Sequence, residues 1–114
     1  MDATIESLGN VTVVTLTSKF LDASNAPDLK KQVTTLLEHS PRLVLDLGRI
    51  DFVDSSGCGA ILTCLRQVNT VAGKMAVCGV TPPVRALFDL VRMNRILEIH
   101  DSREAAVRAI GGEV

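Results

Sequence analysis

Tryptophan and tyrosine are absent from this chain of 114 residues, and phenylalanine occurs only three times. So few rings argue against stacking platforms for single-stranded nucleic acid or sugars. Cysteine is scarce: Cys58, Cys64 and Cys78 are odd in number and show no C-x-x-C spacing, so metal and thioredoxin-type sites are not expected. Free thiols of this kind suit a reduced, cytoplasmic setting. Neither sign of charge dominates, the formal net charge being -1, which gives no bulk attraction to nucleic acid or to an anionic membrane. No stretch approaches the roughly 18 apolar residues of a membrane span. The acidic start, Met1-Asp2-Ala3-Thr4-Ile5-Glu6, lacks the positive flank and apolar run of a signal peptide.

What is present is apolar surface in abundance, 46% of residues, enough for one domain with a core of its own over residues 1–114. Val11 to Thr17 is rich in β-branched residues and predicts a strand, paired through Gly9-Asn10 with an earlier one around Ala3 to Leu8. Asn25 caps a predicted helix with Pro27 in its first turn and Leu29, Val33, Leu36 and Leu37 as its stripe. Leu43 to Leu47 predicts a central strand interrupted by Asp46, a polar residue expected to find its partners near the strand end. Gly73 stops the next helix, and Met75 to Val80 is a further strand. Thr81 is expected to cap a helix beginning at Pro82, with Val84, Leu87, Phe88 and Val91 inward. Ile96 to Ile99 predicts a last short strand. Asp101 or Ser102 then opens a helix that ends near Gly111-Gly112. Strands alternating with helices predict an α/β fold, an open mixed sheet of about five strands with about four helices.

The segment Phe52 to Leu62 carries the most chemistry. Asp54, Ser55 and Ser56 stand where an apolar stretch meets a helical period through Cys58, Ile61, Leu62, Leu65 and Val68. Gly57 and Gly59 thin the first turn and would allow a close approach. A hydroxyl there is expected to be exposed, and the first amides of the helix can receive an anion. By themselves, these residues describe a capped helix start more readily than a site. Cys58, whose thiol a helix start can acidify, fits a small core residue better.

Enzyme readings fare poorly. A hydrolase elbow needs G-x-S-x-G, but Val53 and Asp54 stand where the first glycine would be for Ser55 and Ser56. The histidines, His39 at a helix end and His100 at a strand end, are ordinary structural positions. Gly57-Cys58-Gly59 begins like G-x-G-x-x-G but runs into Leu62, and no phosphate-binding lysine follows. No catalysis and no cofactor are expected, so any phosphate must be delivered by another protein.

Asp51 to Leu62, with Asp54-Ser55-Ser56-Gly57, resembles the phosphorylation segment of the anti-sigma factor antagonists in the STAS domain family. Pro82-Pro83-Val84-Arg85-Ala86-Leu87-Phe88 resembles a second element of that family, and the likeness runs over nearly the whole chain. The resemblance implies a single STAS-type domain. It implies an antagonist that binds an anti-sigma factor serine kinase when unphosphorylated, frees a sigma factor, and is released when Ser55 is phosphorylated. A metal-dependent (PPM-type) serine phosphatase would reset it. Ser56 and Gly57 complete the motif, and Asp22, in Leu21-Asp22, matches an element placed near the acceptor, though a plain loop-end acid reads as well. Ser56 is expected to support the local turn while Ser55 projects outward. Two departures stand out: Lys19-Phe20 where the family has glycine before Leu-Asp, making that loop more apolar, and Cys58 where leucine is frequent. The alternative implied is a STAS subunit of a lipid-transport or other complex without regulated phosphorylation, which the lack of an attached membrane segment disfavours.

Overall fold

A computed structural model describes residues 2–111; Met1 and Gly112 of the sequence reading lie outside the described residues. The first two strands, β1 (Ala3–Leu8) and β2 (Val11–Leu16), form an antiparallel hairpin in which Leu8 faces Val11. The two-residue loop between them works because Gly9 takes a left-handed φ of +63°, which a side chain would resist. Beyond β2 the main sheet is parallel: β4 (Arg42–Asp46), β6 (Lys74–Cys78) and β7 (Ile99–His100) extend it in the order β1-β2-β4-β6-β7. Each parallel step is crossed by a helix: α1 (Ala26–Leu37), α2 (Ser55–Thr70) and α3 (Pro82–Leu90), with α4 (Arg103–Gly111) following β7.

The sheet is covered unequally. The α1, α2 and α3 side holds the large cluster, with Leu29, Val33, Ile61, Val68, Val84 and Phe88 packed on Val14, Leu43, Leu45 and Val77. The opposite side is closed by α4, whose Ala106 and Ile110 rest on Val11, Val13, Val44, Ala76 and Cys78. Strands covered on both faces lose the polar alternation, which is why β2 and β4 read as apolar runs. Two arginines tie α4 down. Arg103 reaches Thr15 at 2.7 Å and Asp46 at 3.4 Å and pairs with Glu6, while Arg42 donates to the Ile110 carbonyl at 2.6 Å. Asp46 also accepts from the Gly48 amide, so the polar residue in a central strand has its partners.

Several expected details change. Ile96 is exposed after a 3-10 turn (Met93–Arg95), and the last strand is Ile99–His100. Asn25 and Thr81 precede their helices, but neither side chain caps: Asn25 braces Asp22 and Phe20, and Thr81 donates to the Ile50 carbonyl at 2.6 Å. Ser102 does cap α4, accepting from the Ala105 amide. At the end of α2, Ala72 holds the left-handed position, at φ 55°, and Gly73 follows it, donating back to the Val68 carbonyl.

Candidate functional site

A second, two-stranded ribbon builds the site, and the sequence reading did not anticipate it. Phe20–Leu21 (β3) runs parallel to Phe52–Val53 (β5), with Phe20 opposite Phe52 and Leu21 opposite Val53. Leu21 and Val53 point into the core, and the two phenylalanines face outward, 42% and 54% exposed. The ribbon ends there, and each strand leads directly into an aspartate, Asp22 and Asp54. The Asp54 amide donates to the Leu21 carbonyl, tying the two ends together.

Asp54 is the N-cap of α2: its extended backbone delivers the carboxylate to the Gly57 amide at 2.9 Å. Ser56 therefore does not support the turn as expected, because a carboxylate already holds that amide. The same contact fills part of the helix start at which an anion was expected to arrive. Ser55 and Ser56 are both exposed, and neither hydroxyl has a hydrogen-bond partner among the described residues. Gly57 is where the ribbon and the helix touch, since a Cβ there would lie 2.3 Å from the Leu21 carbonyl oxygen. Asp22 is half-buried and turns its carboxylate on its own loop, accepting from the Ser24 amide at 2.9 Å and hydroxyl at 2.5 Å.

The five residues singled out in the sequence, Asp22, Asp54, Ser55, Ser56 and Gly57, thus lie at or next to the junction of the ribbon with α2. The α2 stripe is rotated from the expected one. Gly57, Ala60, Ile61, Cys64 and Val68 are buried, whereas Cys58, Leu62 and Leu65 are half-buried at its margin. Small residues at the seam account for the shift: they bring α2 close while contributing little hydropathy. The Cys58 thiol is raised, first by burial and then by the Asp54 carboxylate, so the helix start does not acidify it. His39 is exposed at the end of α1, and His100 pairs with Glu98 at 2.8 Å. Phe20 and Phe52 are the site residues least visible beforehand, although the Lys19-Phe20 departure pointed to an apolar loop.

With the geometry in place, comparison with known proteins decides the family. The STAS domain signature matches residues 2–106.

This chain belongs to the STAS domain family.

Its relatives in sequence include anti-sigma factor antagonists. It is 32% identical over 90 residues to BtrV of Bordetella bronchiseptica, a candidate anti-sigma factor antagonist, covering 78% of each chain. It is 42% identical over 65 residues to the anti-sigma F factor antagonist of Paenibacillus polymyxa, covering 57% of this chain and 56% of that one. Among solved structures, the Bacillus cell fate determinant SpoIIAA matches at 22% identity in two states. The unphosphorylated form gives a TM-score of 0.74 over 97% of this chain and 99% of that one. The phosphorylated form gives 0.70 over 94% and 98%. At this identity the STAS fold is what the two share.

Proposed function

We propose that this STAS protein is an anti-sigma factor antagonist switched by phosphorylation of Ser55. Unphosphorylated, it binds an anti-sigma factor serine kinase and frees a sigma factor; phosphorylated, it is released, and a metal-dependent serine phosphatase of the PPM type restores it. The chain has no turnover of its own and works in the cytoplasm. The observation that carries the reading is Ser55 itself, an exposed hydroxyl without a hydrogen-bond partner among the described residues, directly after the Asp54 cap. Antagonist relatives supply the functional class.

Ser55 is preferred to Ser56 because the family motif assigns the acceptor role to the residue after the aspartate. Asp54, Ser56 and Asp22 join it in the partner contact, together with the Phe20–Phe52 face, while Gly57, buried against Leu21, supports the turn beneath. A phosphate adds about -1.5 to -2 charges. The helix start would favour it by about 0.3–2 kcal/mol, less here because Asp54 already occupies the Gly57 amide. A partner carboxylate about 6 Å away would oppose it by about 5 kcal/mol at an effective dielectric near 20. Modification therefore acts on association and leaves the fold intact.

The test begins with the serine kinase retained by this protein from its native host. Incubation with ATP should place phosphate on Ser55, as read by phosphopeptide mapping, and none should be incorporated in Ser55→Ala. Ser55→Ala should bind the kinase like the unmodified protein, whereas Ser55→Asp should bind at least about tenfold more weakly. Phosphate mainly on Ser56, or equal binding by the two variants, would overturn the assignment. A chain that no host kinase modifies would instead fit an unregulated STAS subunit.

A further inference from the structure

Between α1 and α2 runs a groove of about 380 Å³ whose rim includes Ser56. Its floor is made of small residues, Ala26, Gly59 and Ala60 among them, so a visitor can approach the two helix backbones. Lys30 from α1 and Arg66 from α2 line it as well. Neither cation has an ion-pair or side-chain hydrogen-bond partner among the described residues. Lys30 is also half-buried, and a partly desolvated ammonium is ordinarily matched by a carboxylate. The Cys64 thiol, which Lys30 influences, is pushed up to about 12 and supplies no negative charge.

We propose that this groove receives a slender, acidic segment of the protein that engages the Ser55 face, its carboxylates pairing with Lys30 and Arg66. The inference rests on the reading of the chain as a protein-binding switch and names the chemistry of what it binds. Charge complementarity fixes the sign of the occupant, and the small floor fixes its girth. The groove is continuous with the acceptor site through Ser56, the neighbour of Ser55. A phosphate on Ser55 would then meet the negative segment at the mouth of its own groove, which supplies the repulsion the switch requires.

The groove can be tested without the kinase. The probe is a blocked helical peptide of glutamate and alanine, with a lysine–alanine peptide as its opposite, titrated into the 15N-labelled protein. The acidic peptide should give saturable shifts at Ala26, Lys30, Gly59 and Thr63, and the basic one none. Lys30→Gln with Arg66→Gln should weaken binding about threefold to thirtyfold, the worth of two partly screened pairs. Lys31→Gln, which lines a separate groove beside Ile5, should leave affinity unchanged. Melting curves check that each variant is folded. Absent shifts, or equal losses in Lys31→Gln, overturn the proposal. Groove binding of equal strength in Ser55→Asp would keep the groove but sever it from the phosphorylation switch.

Discussion

A methyl group added at Gly57 would sit 2.3 Å from the Leu21 carbonyl oxygen and 2.8 Å from Val53 Cγ1. Helix propensity favours alanine over glycine by about 1 kcal/mol, but here the collision is with backbone that cannot yield without parting β3 from α2. Gly57→Ala should therefore lose about 1–3 kcal/mol, visible as a lowered melting temperature. Gly59 lies two residues on, and a methyl group there would meet nothing within 4 Å, so Gly59→Ala should gain up to about 1 kcal/mol in the same assay. Opposite signs at two glycines of one helical turn would confirm that the ribbon contact decides. The two hydroxyls and the cap separate likewise: Asp54→Ala should cost about 1 kcal/mol, and Ser56→Ala should stay within about 0.5 kcal/mol of the parent in denaturant titrations. A costly Ser56→Ala would restore the capping role that the sequence suggested for it.

At the scale of elements, the main sheet was legible because its strands are apolar runs and its helices carry long periods. The ribbon was not. Phe20–Leu21 and Phe52–Val53 are two-residue strands, too short to show alternation. The motif drew attention to Asp54, Ser55 and Ser56, but the capping residue was not legible: cap assignment depends on backbone direction, which made Asp54 the cap and turned Asn25 and Thr81 to other tasks. The face closed by α4 is held by Arg42 and Arg103, for which periodicity offers no role because their partners lie far off in the sequence. They hold opposite ends of that helix. Arg103→Ala should remove its contacts to Glu6, Thr15 and Asp46, leave Asp46 half-buried without its cation, and cost about 1–3 kcal/mol. Amide hydrogen exchange should rise across α4 before the rest of the fold; uniform exchange would show that the clamp is dispensable.

For the molecule as a whole, two buried thiols set an alkaline limit. Cys64 and Cys78 are each pushed up to about 12 from 9.0, by burial first and, for Cys78, by the Asp46 carboxylate next. Below pH 9 both thiols are protonated whether the chain is folded or not, so their contribution is complete. Between about pH 9 and about pH 12 the unfolded chain releases protons that the folded chain keeps, so stability falls as pH rises. With no tyrosine present, no phenol titrates in that window. The urea midpoint should drop from about pH 9 to about pH 10.5, and Cys64→Ala or Cys78→Ala should flatten the slope even while lowering the midpoint at neutral pH. An unchanged slope would mean that the thiols are solvated.

The unequal covering of the sheet also bears on how the chain is born. Val11 and Val13 leave the ribosome early, Val44 and Ala76 later, and all wait for Ala106 and Ile110 to cover them. At about 5–20 residues per second, the nascent sheet spends several seconds with one apolar face bare. Its other face can already be closed by α1, α2 and α3 during that interval. Docking of α4 is thus the step that converts a sticky half-sandwich into a covered sheet, and whatever delays it lengthens exposure of that face to chaperones.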